Sequence, residues 1–200
     1  MVLYKKRETF SNLSIKIGMI FSKVGLSPNQ WTLITIIPTL IALYFLIEKQ
    51  FLIAAVFFIV SAFIDLVDGS VARVMGKVSK LGAYLDTIMD RYVESIIAFG
   101  LLFSGLPGFY IPAYAWIFLY MMGSYLTSYS KAAAKEKELV EKEIKGGLLE
   151  RAERLIILFV GILLAHFGRI YLTYIIVILA ILTNVTALQR IRIATSKKTI

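Results

Sequence analysis

The 200-residue chain contains no cysteine. That absence excludes disulfides, thiolate metal sites and cysteine nucleophiles. Acidic residues are scarce, with 13 Asp and Glu against 22 Lys and Arg and a net charge of +9. The basic, mildly amphipathic residues 1 to 25 lack a compact apolar core followed by a small-residue cleavage site, so no cleavable signal peptide is expected. The apolar runs do not alternate with polar residues, which argues against a β-barrel. Neither an internal repeat nor a soluble domain is discernible.

What the chain has in abundance is hydrophobicity, with 58% hydrophobic residues. They form successive runs near the roughly 20 helical residues that cross a bilayer core of about 30 Å. The fold class expected is all-α, a polytopic membrane protein of six transmembrane helices, at about residues 30–47, 51–75, 80–104, 109–134, 149–166 and 169–189. Before them, "FSNLSIKIGMIFSKVG" (10 to 25) puts Leu13, Ile17, Ile20 and Phe21 on one side of a helix, with Lys16 and Lys23 elsewhere. This pattern predicts an N-terminal juxtamembrane amphipathic helix on the membrane surface. A single transmembrane domain over residues 1–200 results, with a juxtamembrane segment (1–28), a six-helix core (30–190) and a cytoplasmic tail (191–200). In "LSPNQWT", Pro28 breaks the chain and Asn29 is the expected N-cap of the first span.

Surplus base in a soluble protein would suggest nucleic acid. Here it points to anionic headgroups and to orientation, and no nucleic-acid partner is expected. One side collects Lys5, Lys6, Arg7, Lys16 and Lys23, then Arg73, Lys77 and Lys80, then the run from Lys131 to Arg154, then Arg190 to Lys198. The other side has Lys49 and Arg169. Both termini are therefore expected on the cytoplasmic side of the cell membrane. The polar run 131–147 is then a cytoplasmic excursion, helical at first and broken at Gly146-Gly147.

Charge inside the apolar sequence needs another explanation. Asp65 and Asp68 stand three apart near the end of the second span, and Asp86 and Asp90 four apart near the start of the third. Either spacing puts two carboxylates on one helix face. The short link around Gly76 to Lys80 makes the helices antiparallel neighbours, so the pairs can face one another. Ionised carboxylates this close in a low dielectric repel strongly unless a cation holds them. All-oxygen ligands favour hard ions such as Mg²⁺ or Mn²⁺. Neutralisation by Arg73, Arg91 and nearby lysines is the bland alternative. An aqueous interfacial position is another, serving for Asp65 and Asp68 but not for Asp90, deeper in its span. Gly69 and Gly82 allow a bulky ligand near the backbone, and Arg73, one turn after Gly69, offers a guanidinium fork to a phosphate. From the residues alone the reading is metal-dependent chemistry on a membrane-embedded pyrophosphate ester. Glu94, on the same face as Asp86 and Asp90, either tunes Asp90, pairs with Arg91 or makes a packing contact. His166 is expected at the outer interface.

Asp65, Asp68, Gly69, Ala72, Arg73, Gly82, Asp86 and Asp90 spell the pattern Asp, two residues, Asp-Gly, two residues, Ala-Arg, eight residues, Gly, three, Asp, three, Asp, without a departure. The sequence therefore resembles the CDP-alcohol phosphotransferase family. That resemblance implies six transmembrane helices behind a juxtamembrane helix, usually in a homodimer. It implies that Asp65, Asp68 and Asp86 hold a pair of Mg²⁺ or Mn²⁺ ions, with Asp90 a further ligand or the general base. It further implies that Asp65, Gly69 and Arg73 contact the nucleotide diphosphate of a CDP-lipid donor. Ser79 and Pro28, Asn29, Gln30 and Trp31 resemble further nucleotide contacts, the alternative for Pro28 and Asn29 being a plain helix start.

Residues 128 to 161, "SYSKAAAKEKELVEKEIKGGLLERAERLIILFVG", are similar to the matching segment of the family's phosphatidylinositol-phosphate synthases. The resemblance gives Lys131, Arg151, Arg154 and Arg190 to the phosphate of inositol 1-phosphate as acceptor, against the alternative of ordinary positive-inside anchors. One departure stands at Ala133, where those enzymes often have a second basic residue. The donor implied is CDP-diacylglycerol or CDP-archaeol. Glycerol 3-phosphate as acceptor, or CDP-inositol joined to inositol phosphate, remains an alternative within the family. A cation transporter lies outside it, and Gly69, Ala72 and Arg73 argue against that reading, since a cation path has no use for an arginine beside its carboxylates.

Overall fold

The structure, a computed structural model, describes residues 7–140 and 146–196. Lys5, Lys6, residues 141–145 of the polar run and Lys198 therefore lie outside the described residues. Among the described residues eight α-helices follow in order: α1 (Arg7–Phe21), α2 (Pro28–Ile34), α3 (Ile36–Ile47), α4 (Phe51–Val74), α5 (Lys80–Phe103), α6 (Ala113–Glu136), α7 (Arg151–Leu164) and α8 (Arg169–Ser196). A 3₁₀ turn, Ser22–Val24, follows α1. Among the described residues there is no strand, and a single bridge pairs Phe109 with Ile111. The all-α expectation holds.

Three stretches are long and apolar enough to cross a membrane: Pro28–Ile47, Phe51–Val74 and Arg169–Ser196. Helices α5 and α6 have 24 residues each, but α5 carries Lys80, Asp86, Asp90, Arg91 and Glu94. Helix α7 has 14 residues, short of a full crossing.

The residues up to Ala42, with Val56–Ile97, form one compact unit; Leu43–Ala55, with the residues from Ala98 onward, form another. In the first, α1 lies close against α4. A Cβ at Gly18 would stand 2.5 Å from the Ser70 carbonyl oxygen and 2.6 Å from Val74 Cγ2, so only glycine fits. Ile17 and Phe21 pack against the buried cluster of Trp31, Val67 and Val71, with Phe21 edge-on to Trp31 at 5.5 Å. Leu13 and Ile20 are exposed instead. The apolar face expected on this helix is thus divided between a protein contact and an outer surface.

One local expectation is corrected. Ser27, not Asn29, caps α2: the Ser27 hydroxyl accepts from the Gln30 N–H (3.3 Å) and the Gln30 side chain accepts from the Ser27 N–H (2.8 Å). This reciprocal cap needs residues three apart, and Pro28 then falls at the first helical position, where its missing N–H costs nothing. The first span stands as one candidate crossing, Pro28–Ile47, with a local break in its helix at Thr35, between α2 and α3. Pro38 cannot donate to Ile34 and its ring crowds that carbonyl. Hydroxyls gather around the break: Thr35 donates to the Thr32 carbonyl (2.6 Å), Thr39 donates to the Thr35 carbonyl (2.7 Å), and Thr39 and Ser61 meet at 2.7 Å.

In the second unit α6 and α7 both pack on α8. A Cβ at Gly123 would collide with Thr183 Oγ1 and stand 2.7 Å from the Asn184 backbone nitrogen. Asn184 donates to the Leu119 carbonyl at 2.9 Å across this seam. The polar run is helical to Glu136, and Gly146 and Gly147 take positive φ. Helix α8 runs to Ser196, beyond the boundary expected at residue 190.

Candidate active site

The first unit holds a cavity of about 330 Å³, within the usual range for a small-molecule site. The start of α2 supplies Pro28, Asn29 and Thr32, and the end of α4 supplies Asp68, Gly69, Ala72 and Arg73. Lys77, Val78 and Ser79 come from the connecting loop, and Gly82, Ala83 and Asp86 from the start of α5.

At one border of this cavity the carboxylates converge. One oxygen each of Asp65, Asp68 and Asp86 lie within 4.8 Å of one another. Asp65 and Asp86 are half-buried, whereas Asp68 is 5% exposed. Asp68 Oδ2 is buried without a hydrogen-bond donor among the described residues, an expensive condition for a carboxylate. An all-oxygen group of three with an orphaned buried acceptor fits a hard divalent cation. Asp90, one turn beyond Asp86, is buried but is not one of the three.

Arg73 reaches back along its helix, its Nη1 3.4 Å from where a Gly69 Cβ would stand. Gly69 therefore leaves the guanidinium open to the cavity. Gly82 does the same on α5, where a Cβ would meet Ser79 Oγ at 3.1 Å and Asn29 Oδ1 at 3.3 Å. Ser79 also caps α5, its hydroxyl accepting from the Gly82 N–H at 3.0 Å. Gln30 and Trp31 do not line the cavity. Gln30 is exposed and engaged in the α2 cap, and Trp31 is 8% exposed within the Val67 cluster.

Thr32 and Lys77 line the cavity but were not among the site residues the sequence suggested. Their signals were present: Thr32 follows Asn29 by one helical turn, and Lys77 sits in the short link between the two aspartate helices. Glu94 is buried and pairs with Arg91, Nη1 to Oε2 at 2.6 Å.

The proposed acceptor residues all fall in the second unit. Arg154 and Arg190 are buried, and Lys131 and Arg151 half-buried. Arg190 donates from Nη1 to the Thr127 carbonyl (2.8 Å) and from Nε to the Gly146 carbonyl (3.1 Å). Lys131 is one turn after Thr127 on α6, hence on the face that Arg190 approaches. The backbone leading to Arg151 is tied to α8 as well, Leu148 N–H to Gln189 Oε1 (3.1 Å) and Leu149 N–H to Thr186 Oγ1 (3.2 Å).

Among the described residues an all-helical frame thus brings three aspartates to the border of a cavity that Gly69 and Arg73 line. The chain belongs to the CDP-alcohol phosphatidyltransferase family, whose model matches residues 26–189. It is a CDP-alcohol phosphotransferase, a membrane enzyme of phospholipid biosynthesis. Among its relatives is the archaetidylinositol phosphate synthase of Pyrococcus horikoshii, 37% identical over 88% of this chain and 87% of the relative. The phosphatidylinositol phosphate synthase of Corynebacterium glutamicum is 32% identical over 76% of this chain and 69% of its own. Among solved structures, the phosphatidylinositol phosphate synthase of Mycobacterium tuberculosis with CDP-DAG bound superposes with a TM-score of 0.79 at 26% identity, covering 92% of this chain and 94% of that one. The same enzyme with manganese and citrate gives a TM-score of 0.80 at 26% identity, covering 92% and 89%.

Proposed function

We propose that this enzyme transfers a phosphatidyl or archaetidyl group from a CDP-linked lipid to a hydroxyl of inositol 1-phosphate, releasing CMP, with Mg²⁺ or Mn²⁺ as cofactor. The observation that carries the chemistry is the convergence of Asp65, Asp68 and Asp86 at the border of the cavity that Gly69 and Arg73 line. The acceptor assignment is supported by relatives named as inositol phosphate synthases.

Asp65, Asp68 and Asp86 would hold the metal pair, which when bound neutralises the diphosphate and the charge developing on the departing CMP. Arg73 binds a diphosphate oxygen through its guanidinium, with backbone approach allowed at Gly69 and Gly82. Asn29 and Ser79, both close to Gly82, orient the nucleotide. Asp90 accepts the proton of the acceptor hydroxyl, whose oxygen attacks the lipid-side phosphorus; the bond from that phosphorus to the bridging oxygen breaks and CMP departs with the electron pair. Lys131, Arg151, Arg154 and Arg190 bind the acceptor's phosphate dianion. We infer also a cytoplasmic-side site, α1 on the membrane surface, a homodimer, and six spans, with α5, α6 and the 14-residue α7 together with its flanking residues completing the three apolar ones.

The test supplies purified enzyme and Mg²⁺ or Mn²⁺ with labelled inositol 1-phosphate or glycerol 3-phosphate, and CDP-diacylglycerol or CDP-archaeol, recording CMP release and label in the lipid phase. Incorporation of inositol phosphate alone is expected. Incorporation of glycerol phosphate alone would keep the catalytic centre and overturn the roles of the four basic residues. No CMP from any pair would overturn the reaction.

A further inference from the structure

Arg73 is held from behind by the N-terminal helix. Its Nη2 donates to Ser14 Oγ at 2.6 Å, and Ser14 Oγ lies 2.9 Å from Ser70 Oγ. Ser70 in turn donates to the Leu66 carbonyl at 2.8 Å. With the Ser70 proton so committed, the Ser14 proton goes to Ser70 Oγ, and the Ser14 lone pairs face Arg73. Every donor in this chain, guanidinium to Ser14 to Ser70 to backbone carbonyl, meets an acceptor. The contact of Nη2 with Ser70 itself is longer, at 3.4 Å, so Ser14 is the principal anchor.

The guanidinium is planar and rigid, so fixing one nitrogen orients the rest of the fork. Nη2 is turned to α1 while Nη1 is the atom nearest the open Cβ side of Gly69. Ser14 can reach this position because Gly18, one turn further along α1, lets the helix approach the Ser70 carbonyl. An exposed arginine without such an anchor would sample many rotamers, and ordering it would weaken donor binding.

We propose that Ser14 is a positioning residue for the donor: by accepting from Arg73 Nη2 it pre-orients the guanidinium for the diphosphate, so the juxtamembrane helix forms part of the donor site. This rests on the reading above that Arg73 binds the donor diphosphate.

The test measures CMP release at varied CDP-lipid and saturating acceptor for Ser14→Ala, Ser14→Thr, Arg73→Ala and the Ser14→Ala/Arg73→Ala double variant of the full chain. Ser14→Ala is expected to raise the donor KM about tenfold with kcat within about twofold, the pattern of lost binding rather than lost chemistry. Ser14→Thr, which keeps the hydroxyl, restores the KM. In the Arg73→Ala background Ser14→Ala adds nothing, since the two act as one unit. An unchanged KM in Ser14→Ala, or an additive loss in the double variant, would overturn the role of Ser14 while leaving Arg73 in place. A normal donor KM in Arg73→Ala would overturn the assignment of Arg73, and the inference with it.

Discussion

At the scale of single residues, the carboxylates divide by surroundings. Asp65, Asp68 and Asp86 converge, whereas Glu94, two turns beyond Asp86 on the same helix, is engaged with Arg91. The two kinds should fail differently. Asp68→Asn should abolish metal-supported turnover while the purified protein keeps its thermal unfolding midpoint or gains, because a charge at a buried position is removed. Glu94→Ala should leave Arg91 partly buried without that carboxylate and destabilise by about 3 kcal/mol, read as a lower midpoint in detergent. The reverse pattern would show that the site and the ion pair had been confused. The aspartates were legible in the sequence because spacings of three and four on adjacent helices translate directly into shared faces. Ser14 was not, since its partner Arg73 is 59 positions away. The signal was a pair of small residues, Ser14 and Gly18, four apart, the spacing that marks close helix approach.

At the scale of elements, helix boundaries follow local chemistry, and the misread ones have local causes. Asn29 was an eligible cap, but Ser27 has Gln30 three residues on and completes the reciprocal pair. Ser27→Ala should therefore cost about 1 kcal/mol, the usual value of a cap, whereas Asn29→Ala should leave stability nearly unchanged. Equal losses would reassign the cap. Pro38 inside an apolar run was visible as a breaker, yet the run reads as one span because hydropathy is blind to a missing N–H. The α6–α8 seam depends on Gly123. Gly123→Val places a branched side chain against the Asn184 backbone and should destabilise by about 3 kcal/mol, the upper part of the overpacking range. Gly123→Ala should do less, and no loss in either would mean the seam can part freely.

At the scale of the whole molecule, the fold puts several like charges in or beside apolar helices, and the proposed divalent ion would relieve them. Chelation should abolish CMP release, and Mg²⁺ or Mn²⁺ should restore it. The same ions should raise the unfolding midpoint as a ligand of the native state does, and the midpoint of Asp68→Asn should respond less. Activity that survives exhaustive chelation would remove the metal from the account. The sequence showed this architecture because membrane helices and aspartate spacing are both short-range patterns. It did not show which residues line the cavity, since Thr32 and Lys77 join only when three elements converge.

We propose that Asp90 takes the proton while Asp65, Asp68 and Asp86 hold the donor-side charge. The direct measurement compares Asp90→Asn with the parent protein for CDP-lipid binding and for CMP release in the presence of acceptor. The account predicts retained donor binding with turnover reduced by at least about a hundredfold, the lower end for loss of a general base. Near-normal turnover would contradict it.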